Sequence, residues 1–183
     1  MTRVLVPLAQ GCEELEAVTI IDLLRRANIN VVTAGLDNQP VCASRGTVLI
    51  PDTTLDEALQ QDYDMVVLPG GGPGAENLDH DKRIHALLKK MADSEKFTAA
   101  ICAAPKVLAN AGLLAGKHAT GFPGVLENMN LDDVTIQPDA VVQDGKVITS
   151  RGPGTAMDFA LTLIETLAGR KVRDNVEAGL QRS

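Results

Sequence analysis

The sequence predicts an α/β protein in which a mainly parallel β-sheet is covered by helices on both faces. Short runs of β-branched, almost continuously apolar residues alternate with longer segments of helical periodicity, and this alternation is typical of such sheets. Hydrophobic residues make up 45% and charged residues 22% of the chain, as in ordinary globular proteins. The length of 183 residues fits a single domain, residues 1–183.

The elements of the amino-terminal half are predicted from apolar runs and from their spacing. Leu15, Val18 and Ile21 recur on one helical face, whereas the other apolar runs are short and end at turn residues. In chain order the predicted elements are a strand at Arg3–Leu8, a helix at Glu14–Ala27, a strand at Asn30–Ala34, short strands at Val41–Ser44 and Thr47–Ile50, and a buried strand at Asp64–Leu68.

The carboxyl-terminal half repeats the alternation of strand and helix. Ile84, Leu87 and Leu88 have the spacing of an amphipathic helix, and Thr155 stands where it can cap the last predicted helix. In chain order the predicted elements are a helix at Asp81–Ala92, a strand at Phe97–Ile101, a helix at Pro105–Asn110, a short helix and a hairpin within Gly121–Val147, and a helix at Ala156–Ala168.

Composition and charge exclude several classes of function. The chain has 17 Lys and Arg against 24 Asp and Glu, a net charge of −7, which disfavours binding to nucleic acids or anionic membranes. No apolar signal segment opens the chain and no run of about 18 apolar residues occurs, so we expect a cytoplasmic protein. The cysteines Cys12, Cys42 and Cys102 are widely spaced, without a C-x-x-C motif. We therefore expect no disulfide framework and no metal site.

Because ligands bind beyond the carboxyl ends of parallel strands, we looked for chemistry there. After the first strand, Glu13, Glu14 and Glu16 enter a helix amino terminus. One interpretation is that all three are solvated negative charges, which the helix dipole stabilises at this end of the helix. The other is that Glu16, which lies between Leu15 and Ala17, points inward with a raised pKa and carries a proton at neutral pH.

A glycine-rich segment, Leu68–Ala75, follows the predicted strand at Asp64–Leu68. It formally fits the dinucleotide motif G-x-G-x-x-A, but it does not follow the first strand, and Pro73 lacks an N–H for a phosphate. The glycines better suit close backbone approach, with N–H groups left free for an oxyanion.

The third strand end, Ala99–Pro105, places Cys102 between a strand and a helix that begins with Pro105. This arrangement resembles a nucleophile elbow, and a helix amino terminus lowers the pKa of a thiol below its usual value of about 8.5. The alternative is a buried structural cysteine. Cys12 and Cys42 have no such setting, so we interpret them as structural.

Several motifs together resemble the ThiJ/PfpI superfamily from end to end, in the branch of the Parkinson-associated protein "DJ-one" and bacterial YajL. The motifs are Glu13–Val18, Cys42–Gly46, Val67–Gly71, Ala99–Pro105 and Thr149–Thr155. The resemblance implies a flavodoxin-like three-layer sandwich that forms a homodimer through its first helix.

The resemblance also implies roles for individual residues. Cys102 matches the reactive, oxidisable cysteine, and Glu16 matches the glutamate that hydrogen-bonds to it. The matching backbone donors and neighbouring side chains are Gly71, Ala103, Arg45, Arg151 and Phe122. Phe122 stands where the human branch has a histidine near the cysteine, so a mechanism that needs this histidine does not apply directly.

Two functions follow from the resemblance. The first is a cofactor-free glyoxalase or deglycase, of hydro-lyase or hydrolase type. In it the Cys102 thiolate attacks methylglyoxal-type dicarbonyls or their early glycation adducts during carbonyl and oxidative stress. The second is a redox-sensing chaperone that binds unfolded client proteins when Cys102 is oxidised. A peptidase is disfavoured because Ala103 replaces the histidine that follows the nucleophile in the protease branch.

Overall fold

A seven-stranded sheet forms the centre of the protein, and helices pack against both of its faces. The structure is a computed structural model and describes residues 1–182. Its strands are β1 (Arg3–Leu8), β2 (Asn30–Gly35), β3 (Val41–Cys42), β4 (Val48–Leu49), β5 (Thr53–Thr54), β6 (Met65–Leu68), β7 (Phe97–Ile101), β8 (His118–Ala119), β9 (Thr135–Ile136), β10 (Val141–Asp144) and β11 (Val147–Ser150). Its helices are α1 (Glu14–Arg26), α2 (Leu55–Ala58), α3 (Gly72–His80), α4 (Lys82–Asp93), α5 (Pro105–Asn110), α6 (Ala156–Ala168) and α7 (Arg170–Gly179). Within residues 1–182, none of these helices combines the length and the apolar composition needed to cross a membrane.

The strand order confirms the predicted α/β class. The sheet runs β10-β11-β7-β6-β1-β2-β5, and every neighbouring pair is parallel except β10 with β11. Counted along the chain, the five strands β1, β2, β6, β7 and β11 lie in the order 2-1-3-4-5, which is the flavodoxin-like order. The strands β3 and β4 form a separate antiparallel hairpin.

Two hydrophobic layers pack against the two faces of the sheet. Along β1, Val4, Val6 and Leu8 join the layer of α1 and α6, whereas Leu5 joins the opposite layer with helices α2 to α5. This alternation follows the two-residue period of a strand. Burial of one such side chain contributes about 1.5–3 kcal/mol. Since both faces are covered, the carboxyl ends of the central strands have well-defined positions.

The sequence does not predict three of the helices: α2, which has only four residues, α3 and α7. Helix α3 begins inside the glycine-rich segment, at Gly72, and Pro73 occupies its first turn. The low helical propensities of Gly and Pro conceal this helix in the sequence. Helix α7 is rich in charged residues and buries only Val176, so too few apolar residues mark it in the sequence.

Candidate active site

Three neighbouring strands bring the candidate residues together. The central strands β1, β6 and β7 are adjacent and parallel, so their carboxyl ends meet at one edge of the sheet. Glu16 lies in the first turns of α1, Gly70 follows β6, and Cys102 follows β7. The order of the strands reverses between β1 and β6, which is where flavodoxin-like sheets bind their ligands.

Cys102 occupies a sharp turn between β7 and α5. Its φ of 64° lies in the left-handed region, which costs a non-glycine residue about 1–2 kcal/mol. Two backbone hydrogen bonds hold it there: the Cys102 N–H donates to the carbonyl of Ser150 at 2.9 Å, and the Cys102 carbonyl accepts the N–H of Phe122 at 2.8 Å. The residue is 8% exposed. The turn has the strained strand-to-helix geometry that the sequence predicts.

Glu16 points inward, as one of the two interpretations of the sequence predicts. It is 0% exposed, and its Oε2 accepts the backbone N–H of Gly70 at 2.8 Å. Burial raises the pKa of this carboxyl to about 7, against the lowering effects of the Cys102 thiol and the Gly70 N–H. Its Oε1 is the one buried side-chain nitrogen or oxygen atom within residues 1–182 that has no hydrogen-bond partner.

Gly70 lies close to both of these side chains, Glu16 and Cys102. A Cβ atom on Gly70 would lie 2.6 Å from Glu16 Oε2 and 2.7 Å from Cys102 Cβ. It would also lie 2.9 Å from the carbonyl oxygen of Ile101. Only glycine therefore allows the carboxyl and the thiol to be neighbours. The sequence predicts close backbone approach in this segment but does not single out Gly70.

The predicted backbone donors face the thiol. The N–H groups of Gly71 and Ala103 act on Cys102 and lower its pKa. Gly71 has a φ of 86°, and a Cβ atom there would lie 2.6 Å from the backbone nitrogen of Glu13. The glycine thus lets the loop after β6 pack against the loop after β1, which aims its N–H group at Cys102.

The predicted low pKa of Cys102 is wrong for the resting site. Burial, then the negative charge of Glu16 and its acceptance of a hydrogen bond from the thiol, together raise the pKa of Cys102 to about 12. The N–H groups of Gly71 and Ala103 only partly oppose it. The buried Cys12 also has a raised pKa, about 11, chiefly through burial. A helix amino terminus alone therefore does not produce a thiolate while Glu16 is ionised.

Glu13 and Glu14 are more than the solvated helix charges of the first interpretation. The hydroxyl of Ser44 donates to Glu13 Oε2 at 2.8 Å and to Glu14 Oε2 at 3.0 Å. The N–H of Arg45 donates to Glu14 Oε1 at 2.9 Å. Desolvation raises the pKa of Glu14, but backbone N–H groups and the Ser44 hydroxyl outweigh it and lower the pKa to about 2. These carboxylates fasten the turn of the β3–β4 hairpin to α1, which the sequence alone does not indicate.

The remaining predicted neighbours divide into two groups. The backbone of Phe122 binds the Cys102 carbonyl, and its ring is 48% exposed. The guanidinium of Arg151 donates to the carbonyl of Pro138 at 2.6 Å, while Arg45 is fixed through its backbone on the exposed hairpin turn. Among the described hydrogen bonds and ion pairs, neither guanidinium contacts Cys102 or Glu16. In residues 1–182 no group of three or more His, Cys, Asp or Glu is placed to hold a metal ion.

Comparison with known proteins shows the family to which this chain belongs. The sequence profile of the DJ-1/PfpI family matches residues 2–166. "Protein DJ-1 homolog B" of Arabidopsis thaliana is 47% identical over 99% of this chain and 40% of the relative, so the chain spans about two fifths of that protein. The "Parkinson disease protein 7 homolog" of Danio rerio is 44% identical over 97% of this chain and 96% of the relative. The "Glutathione-independent glyoxalase DJR-1.2" of Caenorhabditis elegans is 36% identical over 87% and 85%.

Solved structures agree with the fold. The crystal structure of Drosophila melanogaster DJ-1beta has a TM-score of 0.95 and 40% identity, covering 100% of this chain and 98% of the other. The structure titled "Toxoplasma gondii DJ-1, oxidized" has a TM-score of 0.95 and 37% identity, and each chain is covered completely.

Proposed function

The chain belongs to the DJ-1/PfpI family, and on this premise we propose that it is a cysteine-dependent glyoxalase or deglycase. Its substrates are methylglyoxal-type dicarbonyls or their early adducts, and its role lies in carbonyl and oxidative stress. The observation that carries the proposal is a buried carboxyl, Glu16, with a pKa of about 7 beside the thiol of Cys102. A relative that is named as a glyoxalase supports the same reaction class.

The first step is the addition of the thiol to the aldehyde. Cys102 Sγ forms a bond to the aldehyde carbon, and the thiol proton ends on the former carbonyl oxygen, which gives a hemithioacetal. The carboxylate of Glu16 accepts the thiol proton as the bond forms, so the high pKa of the thiol does not block attack. The N–H groups of Gly71 and Ala103 stabilise the negative charge that passes from sulfur to oxygen.

The second step moves a proton between adjacent carbons. Glu16 removes the proton from the former aldehyde carbon and returns one to the neighbouring ketone carbon through an enediol. The product is a thioester of a 2-hydroxy acid. The aldehyde carbon is oxidised while the ketone carbon is reduced, so the step needs no external oxidant. Water then hydrolyses the thioester, releases the hydroxy acid and restores the thiol.

Glu16 is suited to this proton transfer for two reasons. Oε2 is already occupied by the Gly70 N–H, so in the neutral carboxyl the proton resides on Oε1, which has no protein partner. A pKa of about 7 also keeps both protonation states populated near neutral pH. A positioned acid–base group of this kind contributes about 100- to 10,000-fold to a rate.

The test is the conversion of methylglyoxal to lactate. We expect turnover by the wild-type protein and none by Cys102→Ala, because the covalent adduct cannot form. Cys42→Ala is the matched control, since Cys42 is exposed on the hairpin outside the site. Turnover by Cys102→Ala, or an equal loss in Cys42→Ala, would contradict the proposal.

A second measurement separates glyoxalase from deglycase action. An adduct of methylglyoxal with N-acetylcysteine releases free dicarbonyl at a spontaneous first-order rate. If the enzyme consumes the adduct no faster than this release, it acts on the free dicarbonyl. Consumption that exceeds spontaneous release and rises with enzyme concentration identifies the adduct itself as the substrate.

The alternative function is a redox sensor with holdase activity, and it uses the same two residues. A peroxide would convert the Cys102 thiol to a sulfenic acid and water, and then to a sulfinic acid. The proton on Glu16 Oε1 would hydrogen-bond to the added oxygen. Suppressed aggregation of an unfolded client protein by the peroxide-treated protein, without lactate formation, favours this function.

We also propose that the protein is a homodimer that associates through α1. Leu15 and Val18 are one turn apart on this helix and are 52% and 45% exposed. An isologous contact would bury the same face in both chains. Light scattering at micromolar concentration should give twice the chain mass, and Val18→Glu should reduce it to one chain mass. A wild-type monomer would contradict the proposal.

A further inference from the structure

Phe122 is the one exposed aromatic side chain in the part of the chain that the structure describes. Tyr63 and Phe159 are buried, and the half-buried Phe97 lies under the ammonium group of Lys146. Phe122 is 48% exposed. A single exposed apolar side chain is ordinary in itself, so its significance depends on where it lies.

The position of Phe122 is tied directly to the reactive cysteine. Its N–H donates to the carbonyl of Cys102 at 2.8 Å, and its own carbonyl accepts the N–H of Val125 at 2.9 Å. The backbone on both sides of the ring is therefore held, and one of its two anchors is the cysteine itself.

The ring of Phe122 also lies against a second loop, the one that contains Gly152. A Cβ atom added to Gly152 would lie 3.4 Å from Cδ2 and 4.0 Å from Cε2 of Phe122, so the edge of the ring lies beside Gly152 at van der Waals distance. Gly152 follows β11, and Ser150 at the end of that strand accepts the N–H of Cys102. The ring thus joins the two segments that hold the peptide groups of Cys102, which makes it a preformed wall.

The two sides of Cys102 differ in chemistry. Towards β6 lie the Glu16 carboxyl and the Gly71 N–H, which handle protons and charge. On the β11 side, the backbone of Phe122 binds the Cys102 carbonyl, and its apolar ring lies beside Gly152. A substrate bound to Cys102 therefore has a polar side for its oxygens and an apolar side for its substituent.

We propose that Phe122 is a specificity-determining residue that favours 2-oxoaldehydes with an alkyl or aryl substituent over unsubstituted glyoxal. This inference rests on the glyoxalase function proposed above. Contact between two aromatic rings, beyond their burial, corresponds to a preference of about two- to tenfold. The expected order of preference is phenylglyoxal, then methylglyoxal, then glyoxal.

The experiment measures kcat/KM for these three substrates in four proteins. In Phe122→Ala we expect the phenylglyoxal-to-glyoxal ratio to fall about two- to tenfold. Phe122→Leu should keep the methylglyoxal-to-glyoxal ratio but lose part of the preference for phenylglyoxal. Phe97→Leu is the matched control at the opposite edge of the sheet, and all its ratios should equal those of the wild type. An unchanged phenylglyoxal-to-glyoxal ratio in Phe122→Ala overturns the inference.

A second measurement decides the matter if the wild-type protein turns over none of the three substrates. The rates at which iodoacetamide and N-benzyl iodoacetamide alkylate Cys102 are compared by peptide mass. A benzyl preference in the wild type that falls in Phe122→Ala, or in Phe122→Leu should the Ala variant not fold, supports the apolar wall although the glyoxalase function has failed. An equal ratio in the wild type and the variant overturns the wall itself.

Discussion

Glu14 and Glu16 are two residues apart on the same helix, yet their carboxyl groups have opposite properties. Backbone N–H groups and the Ser44 hydroxyl outweigh desolvation at Glu14 and lower its pKa to about 2. Burial raises the pKa of Glu16 to about 7. Residues at i and i+2 lie on different faces of a helix, so one carboxyl meets the hairpin turn and the other meets the thiol. Position on the helix, rather than proximity to its amino terminus, decides which carboxyl carries a proton.

The largest expected effect of this difference is on turnover. Glu16→Gln keeps the shape of the side chain but removes the acid, and we expect lactate formation to fall about 100-fold or more. Glu13→Gln and Glu14→Gln should retain nearly all of it, because their carboxylates bind the hairpin and not the thiol. Full activity in Glu16→Gln, or an equal loss in the other two variants, would mean that the wrong carboxyl has been chosen.

The second effect is on stability as a function of pH. The folded-state pKa of Glu16, about 7, exceeds its ordinary value of 4.5, so the folded protein binds more protons between these values. The stability that comes from neutral Glu16 is therefore lost as the pH rises through this window. Glu16→Gln should remove this loss and be more stable than the wild type above the window, by up to about 3 kcal/mol.

Urea unfolding at both ends of the window measures this difference. At a pH below 4.5, where Glu16 is largely neutral in both the folded and the unfolded state, the two proteins should have similar free energies of unfolding. A difference that is the same below and above the window would show that folding does not raise the pKa of Glu16.

The third effect tests the contact that brings carboxyl and thiol together. Gly70→Ala places a methyl group 2.6 Å from Glu16 Oε2 and 2.7 Å from Cys102 Cβ. We expect a loss of about 1–3 kcal/mol in the free energy of unfolding, together with a loss of turnover. Gly72→Ala is the control in the same segment, because a Cβ atom there meets nothing within 4 Å. Equal stability of the two variants would contradict the close approach at Gly70.

The fourth effect is on the reactivity of the thiol. Because the charge of Glu16 raises the pKa of Cys102, Glu16→Gln should lower this pKa and increase the rate of alkylation several-fold at a fixed pH near neutrality. The exposed Cys42, measured in the same sample by peptide mass, is the internal reference. A slower reaction of Cys102 in the variant would contradict this prediction and would mean that proton acceptance by Glu16 assists alkylation more than its charge hinders it.

The smallest expected effect concerns Glu14, whose carboxyl binds the turn of the β3–β4 hairpin. The pKa of Glu14 is lowered, so the stability it contributes is present above 4.5 and is lost as the pH falls towards 2. Glu14→Gln weakens the hydrogen bonds to the hairpin turn, and hydrogen exchange at the N–H of Arg45 should become faster. Global unfolding should change little. Unchanged exchange at Arg45 would show that the turn holds itself without Glu14.

Sequence patterns were sufficient for the elements that depend on local periodicity. The strands Arg3–Leu8 and Phe97–Ile101 and the helices Pro105–Asn110 and Ala156–Ala168 have the bounds that the sequence predicts. Each is a continuous apolar run or a clear helical stripe, so its own residues specify it. The cysteine at the end of a strand follows from the same local patterns, whereas these patterns left open whether Glu16 points inward.

Contacts with residues outside the helix itself overrode local signals elsewhere. Thr155 does not cap α6, because its hydroxyl exchanges hydrogen bonds with Ser150 and Gly152. Helix α3 forms in a segment rich in Gly and Pro, where the close packing of Gly74 against Cys12 requires a residue without a side chain. Neither partner can be inferred from the residues next to it in the chain.

The sequence by itself determined which groups stand at the ends of the central strands, because apolar runs specify the strands and the residues after them follow. Only the tertiary structure decided their chemistry. The contact of Glu16 with Cys102 spans three strands, and Gly70 permits it by having no side chain. Burial and the neighbouring charge then raise both pKa values, because desolvation and Coulomb interactions depend on distance in space rather than on separation along the chain.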